Sequence, residues 1–460
     1  MVYYILAKYV NDKSIIDPDN LKDSVFDYIF LGRGNLVQVA SECNISTALL
    51  EQIREEFSYF YPVDSRHSGR DLVPNHLSFF IFSHVAIFDR KNWPKQIVVN
   101  GSVLMEGKKM SKSLGNIIPL RDAIKEHTAD AIRLAMLISA ELLQDAVFSF
   151  DTVKGIRSKL HDIYDMGKES STNSSQSQIK SAKIIEELED RWLLSRLQRS
   201  IADTTVSMDK LRVREAAHNI LYSLDHDLQW FEKRAKAKNR EISSVQYTLF
   251  TFLNTRIRML APFAPFLSEE VWEKIDNSST SIILASWPTA DEDKIDIIAE
   301  ESEQLIMNLI FDLQKIVKVT RIDPKKIIFY VAARWKLKVY NKILSSVFLE
   351  SKSNFGDIMK QLIKDPETTK AKNDPNLVRK MIEDILSDPV ETRNRRLLLE
   401  NFDERLPIED ARNLLSLESG TEHAEILVYL EDDTDQSKHD LKSKGKFARP
   451  FKPAIYLIDQ

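Results

Sequence analysis

Between Gly107 and Gly115 the chain reads GKKMSKSLG, which sets Lys109 and Lys112 three residues apart, with Met110 and Ser111 between them and Ser113 following. Lysine ammonium groups are compact positive charges, serine hydroxyls donate hydrogen bonds, and glycine lets backbone N–H groups approach phosphate oxygens. A loop of this make-up can close over a triphosphate, and it acts most strongly where negative charge builds up in a transition state. The G-x-x-x-x-G-K-[ST] spacing of the common phosphate loop is absent. The same residues also describe a solvated basic turn, and composition does not choose between the two.

The elements that must carry such a loop are legible around it. From Tyr59 to Ile118, short apolar runs such as QIVVNGSVLM alternate with turns bearing Gly, Pro and Asn, which predicts a layered α/β domain with its ligands at strand carboxyl ends. Upstream, Leu49, Leu50, Ile53 and Phe57 predict an amphipathic helix over Ser46 to Phe57. Leu120 to Met166 has a helical pattern, and the Ser-rich stretch KESSTNSSQSQIKS from Lys168 to Ser181 reads as a linker. Beyond it, stripes at Leu194, Leu197, Ile201, Thr205 and Met208, and at Leu249, Phe252, Leu253, Ile257 and Leu260, predict a helical bundle. After residue 300 the runs KKIIFYVAARW, AEILVYLED and KPAIYLID predict strands of a small α+β domain. The expected class is α/β followed by α, divided as 1–120, 121–182, 183–298 and 299–460.

Composition bounds what the chain can be. With 460 residues, 43% of them hydrophobic, and 11 Gly, it is ordinary globular material of several domains. A net charge of -5 from 64 basic and 69 acidic side chains argues against a uniformly basic nucleic-acid coat. One cysteine, Cys43, excludes an intramolecular disulfide and a cysteine-based zinc site. The most apolar run, HLSFFIFSHVAIF from His76 to Phe88, is shorter than the roughly 18 residues of a membrane span and reads as buried core. Lys8 follows the first apolar run instead of preceding it, unlike a secretory signal, so a cytoplasmic location is expected, with no membrane partner.

KMSKS at Lys109 to Ser113 resembles the signature loop of class I aminoacyl-tRNA synthetases. YPVDSRHSGRDLVPNHLSFFIFSHVAIF (Tyr61 to Phe88) and NGSVLMEGKKMSKSLGNIIPL (Asn100 to Leu120) are similar to leucyl-tRNA synthetases of the archaeal and eukaryotic cytosolic type. DRWLLSRLQRSI (Asp190 to Ile201), LAPFAPFLSEEVW (Leu260 to Trp272) and the final ARPFKPAIYL extend the likeness over the whole chain. The resemblance implies the second half of a Rossmann-type catalytic domain, an anticodon-binding helical bundle and a small carboxyl-terminal α+β domain. It implies that Lys112 stabilises the α-phosphate transition state, with Lys109, Met110, Ser111 and Ser113 around the phosphates. Gly69 and Asp71 would meet the adenosine, the carboxylate accepting from ribose hydroxyls, and His76 would line the same pocket. Substrates would be leucine, leucine tRNA and ATP with Mg2+; no protein-bound metal or organic cofactor is expected. Where the family favours Gly after a helix, this chain has Thr128 in EHTADAIRL.

The family also needs a His-x-Gly-His motif, and none of the nine histidines here has another three residues away. Resemblance begins at MVYYILAKYV, so the chain corresponds to the carboxyl-terminal half, and the histidine motif, leucine pocket and editing domain are expected on a separate chain. Inactivity alone and an apolar face awaiting that complement follow. The competing reading is a non-catalytic tRNA-binding paralogue. For tRNA, Lys442, Lys444, Lys446, Arg449 and Lys452 with Phe447 and Phe451 form a basic-aromatic stretch, and Lys325, Lys326, Arg334, Lys336 and Lys338 form a second candidate patch.

Overall fold

The structure is a computed structural model and describes residues 2–12, 15–110, 113, 115–172, 187–275, 280–349, 355–420, 424–433, 440 and 443–459. It divides into two compact units, the first of residues 1–126 and 135–153, the second of 127–134 and 154–460.

In the first unit, α1 (Val2–Val10), α2 (Leu36–Cys43) and α3 (Thr47–Phe60) enclose a core that includes Ile5, Ile29, Phe30, Val39, Leu50, Ile53 and Phe57. Ser46 caps α3 by accepting from the Leu49 N–H at 3.3 Å, and the helix buries the Leu50, Ile53 and Phe57 stripe that its sequence spacing predicts. After α3, strand β1 (Arg66–Gly69) leads into α4 (Ser78–Ile87), and β1 pairs in parallel with β2 (Ile97–Asn100), Gly69 opposite Asn100. Strands β3 (Val103–Met105) and β4 (Lys108–Lys109) form a hairpin, and β5 (Ala146–Phe148) joins β3 in parallel. The long stretch expected to be helical therefore holds α5 (Leu120–His127), α6 (Ala129–Ser139), β5 and α7 (Phe150–Thr172). Pairing with β3 wins over helical periodicity at residues 146–148.

Helix α4 overturns one expectation. The run His76 to Phe88 is not buried core: Phe79 is 73% and Phe82 71% exposed, with Ile81, Val85 and Ile87 also exposed. His84 is buried, bonded to the Phe80 carbonyl at 2.7 Å. A helix apolar on all sides needs cover on all sides, and the described residues of this unit supply it on one.

The second unit is built on α8 (Leu188–Asp209), α9 (Leu224–Ala237), α10 (Ile242–Leu260), α11 (Pro265–Ile275) and α12 (Ile297–Thr320). Along α8 the buried line runs through Leu193, Leu197, Ile201 and Thr204; Leu197 and Ile201 match the predicted stripe, whereas Leu194, Thr205 and Met208 are half-buried. Of the predicted α10 stripe, Phe252, Leu253, Ile257 and Leu260 are fully buried and Leu249 is half-buried. Helix α12 carries Glu300, Glu301 and Glu303 into the interior, where they meet Arg199, Arg396 and Arg234 at 2.6, 2.9 and 3.0 Å. A three-stranded sheet follows, with β6 (Lys326–Val331) central between parallel β7 (Glu425–Leu430) and antiparallel β8 (Ala454–Ile458). Its continuous apolar sequence is explained by burial on both faces: Ile327, Phe329 and Val331 join the helical core, while Ile328 and Tyr330 pack with Ala448. Helices α13 (Arg334–Leu349), α14 (Phe355–Lys364), α15 (Pro375–Ser387), α16 (Val390–Leu397), α17 (Arg405–Asp410) and α18 (Arg412–Glu418) complete the unit.

Candidate nucleotide and RNA sites

The lysine-rich loop leaves the protein from a tight hairpin. Glu106 and Gly107 connect β3 to β4 with φ of 47° and 77°, so both central residues of the turn are left-handed, as the two-residue turn matching strand twist requires. A Cβ on Gly107 would meet no atom within 4 Å, so its backbone conformation, not space, is what favours glycine. Lys109 ends β4 with its side chain exposed, and Met110 follows at 37% exposure. Asn116 Nδ2 donates to the Lys109 carbonyl at 3.1 Å and so ties the far end of the loop to its start. Ser113 and Gly115 are exposed, and Gly115 is again left-handed at φ 63°. Ser111 and Lys112 lie outside the described residues.

Of the other expected nucleotide residues, Gly69 and Asp71 lie at the carboxyl end of β1, where open parallel sheets bind ligands, while His76 contacts Arg66 at the start of that strand. Gly69 closes β1, and a Cβ there would stand 2.6 Å from Asp71 Oδ1; glycine at this point leaves room for the exposed Asp71 carboxylate to fold back over the strand end. Beside it, Gly101 follows β2, and a Cβ there would come within 2.1 Å of the Gln144 carbonyl oxygen. That close approach lets Asp145 accept from the Ser102 N–H at 2.8 Å and pair with Arg70 at 3.0 Å, stitching the exits of both strands together. His76 is exposed and sits 3.1 Å from Arg66 Nη2, which donates, so Nε2 of the imidazole is the acceptor. Arg66, Arg70, Gly101 and Asp145 were not singled out from sequence. Gly101 alone carried a signal, a glycine directly after a strand; Asp145 stands 75 residues from Arg70.

The expected RNA residues separate into two groups. Arg449 Nε and Lys452 Nζ both pair with Asp384 of α15, each at 2.6 Å, so the acid missing from their own stretch is supplied from another helix. Phe451 is buried, stacked on Phe402 and covered by the Arg396 guanidinium at 4.0 Å from the ring centroid, which makes it core and not a base platform. In the second patch, Lys336 is 2% exposed and pairs with Glu431 at 2.7 Å, Lys326 pairs with Glu425 and Lys338 with Glu367. Lys336 is therefore withdrawn as a surface RNA contact. Lys446 and Phe447 are exposed, Lys444 is half-buried, and Lys442 lies outside the described residues.

Among the described residues no group of three or more His, Cys, Asp or Glu is placed to hold a metal ion, and no helix is long and apolar enough to cross a membrane.

Two family models match the sequence: tRNA synthetases class I (I, L, M and V) over residues 41–149, and the anticodon-binding domain of tRNA ligase over residues 190–329. The leucine–tRNA ligase of Methanococcoides burtonii is 36% identical over 99% of this chain and 45% of the relative. That of Methanocaldococcus jannaschii is 35% identical over 99% of this chain and 44% of the relative. A solved ternary complex from Agrobacterium radiobacter K84, of a LeuRS with tRNA and LeuAMS, aligns at TM-score 0.43 and 23% identity over 51% of this chain and 29% of that one. The chain thus spans less than half the length of the curated relatives it matches.

Proposed function

Because the chain belongs to the class I aminoacyl-tRNA synthetases, on the branch of the leucine–tRNA ligases, we propose that it contributes the lysine-loop half of the ATP site and the tRNA-binding helices and terminal domain of such a ligase. In this reading the complete enzyme attaches the leucine carboxylate to the α-phosphate of Mg-ATP with release of pyrophosphate, and a hydroxyl at the end of leucine tRNA then takes the leucyl group from the adenylate with release of AMP. Lys112 and Lys109 balance the charge that moves onto the phosphates as the bond to pyrophosphate breaks. Gly69 and Asp71 hold the adenosine at the β1 end, with Met110, Ser111, Ser113 and His76 lining the nucleotide. Positioning and charge stabilisation carry this chemistry; no side chain of this chain is asked to form a covalent intermediate.

The observation that carries the reading is the identity of 36% maintained over 99% of the chain. The complementary part, with histidine motif, leucine pocket and editing domain, comes from polypeptide outside this sequence. Its seat is the uncovered face of α4, beside a parallel β1–β2 sheet of only two described strands, exposed apolar surface of the kind that marks an interaction site.

Leucine-dependent ATP–pyrophosphate exchange tests this, with the chain alone and with the complementary amino-terminal portion of an archaeal relative. We expect no exchange alone, exchange on mixing, and a loss of roughly 10²–10³-fold for Lys112→Ala, the scale for removing one transition-state charge partner. Exchange by the chain alone would remove the need for a complement. No exchange in the mixture, with leucine-tRNA binding retained, would favour the non-catalytic paralogue.

A further inference from the structure

The two basic stretches are built differently, and the difference points to one short segment. Residues 443–448 precede β8 and are fixed from beneath by buried polar groups. Asp440, itself buried, accepts from the Lys444 N–H at 2.6 Å and the Gly445 N–H at 2.7 Å. Lys336 donates from its ammonium to the Lys446 carbonyl at 3.1 Å and the Ala448 carbonyl at 2.8 Å, while Glu431 balances its charge. Burying a lysine and an aspartate is unfavourable unless every bond is well made. Four of those bonds hold the backbone of one segment in one conformation.

What this fixed backbone presents is an exposed aromatic ring among cations. Phe447 is 54% exposed although it lies between buried Gly445 and buried Ala448. Lys446 Nζ stands 5.2 Å from the Phe447 ring centroid. Among the described residues, no carboxylate pairs with the Lys444 or Lys446 side chain, in contrast to Arg449 and Lys452, which share Asp384. An exposed ring on a fixed backbone, with the Lys446 ammonium beside it and Lys444 just before it in the chain, fits a ligand with a flat apolar face and a negative backbone.

We propose that Phe447 is a stacking platform for an unpaired nucleotide base of RNA, with Lys444 and Lys446 on the adjoining phosphates. This rests on the reading that the chain binds tRNA. Stacking on an aromatic side chain tolerates any base, and a preformed platform does not have to be ordered on binding. Lys336 and Asp440 are positioning residues here, and neither touches the RNA.

The test uses the full chain and a labelled leucine tRNA transcript of an archaeal relative, with binding measured across a range of salt. Phe447→Ala should weaken binding roughly 5- to 150-fold at every salt concentration, without changing the slope of log Kd against log salt. Phe447→Trp should restore affinity, because it restores the flat face. Lys446→Ala should instead reduce the salt slope by about one. Wild-type affinity in Phe447→Ala, or a loss that Phe447→Trp does not rescue, would overturn the platform while leaving tRNA binding intact. If the unaltered chain does not bind the transcript, the tRNA reading itself fails and the platform falls with it.

Discussion

The two units place their polar and charged groups in opposite ways. In the first, the polar site residues Asp71, His76 and Lys109 are all exposed, alongside a helix α4 that turns two phenylalanines to water. In the second, charges are buried in pairs: Arg234 is fully buried between Glu303 and Asp410, Arg240 between Glu189 and Asp190, and Arg396 between Glu301 and Asp388. Charges paired within one unit call for no outside partner there, whereas the exposed apolar residues of α4 are where a partner binds in the proposed reading. In the proposed reading, it is the first unit that the complementary portion covers.

The largest effect that would break this comparison lies in the second unit. Arg234→Met leaves Glu303 buried with Trp230 Nε1, at 2.8 Å, as its remaining named partner. We expect a loss of about 3–5 kcal/mol in urea unfolding, the range for removing one member of a buried ion pair. Adding Glu303→Leu should recover most of it, because the stranded charge goes too. A single variant as stable as the parent would show that the network is not what holds the unit.

Glu404 is the exception inside the second unit and gives a pH test of about 3 kcal/mol. It is buried, one oxygen accepting from the Phe451 N–H at 2.9 Å and the other without a hydrogen-bond partner. Burial pushes its carboxyl from the ordinary 4.5 up to about 7, against the pull of the Phe451 N–H and Arg396. The folded state holds this proton more tightly than the unfolded chain, so the contribution to stability is full below about pH 4.5 and is lost as pH rises through about 7. Glu404→Gln keeps the acceptor and removes the titration. Compared with the parent, it should be equally stable near pH 4.5 and more stable by about 3 kcal/mol at pH 8. A constant difference across that range would place the proton elsewhere.

The first unit is sharpened by a smaller, conditional effect. Phe79→Ser with Phe82→Ser should leave the isolated chain within about 0.5 kcal/mol of the parent per site, because neither ring is buried there. The same pair should weaken association with the complementary portion by about 2 kcal/mol or more, the scale of an interface hot spot, read from the concentration of complement needed for exchange. Destabilisation of the isolated chain would mean that α4 is already covered by its own unit.

How much of this was legible in the sequence depends on where each residue finds its partner. The α3 and α10 cores were readable because helical spacing brings Leu50, Ile53 and Phe57, or Phe252, Leu253, Ile257 and Leu260, onto one face with local information alone. Strands β6, β7 and β8 were readable for the same reason, as apolar runs between turns. The KMSKS loop stood out through its likeness to a family signature and not through its residue types, which equally describe a solvated basic turn. The basic patches were not readable: Asp384 lies 68 residues from Lys452, and nothing near Lys336 in the chain announces Glu431. The α4 run was misread because apolar sequence reports a need for cover without saying whether the described residues supply it.

The smallest effect falls where the residue ranges of the two units meet. Thr128 follows α5 directly and adopts φ 70°, the left-handed conformation in which helices often end on glycine. A β-branched residue there is strained by roughly 1–2 kcal/mol, while glycine gives back roughly 0.5–1 kcal/mol through the freedom of the unfolded chain. Thr128 also precedes α6, its carbonyl accepting from the Ile132 N–H at 3.4 Å, and glycine is acceptable at such a helix start. The strain is the larger quantity and the side chain is exposed, so Thr128→Gly should stabilise the chain by about 1 kcal/mol or somewhat less in urea unfolding. A loss instead would mean that the Thr128 side chain makes a contribution that outweighs its backbone strain, and that the departure from the family's glycine is a gain at this junction.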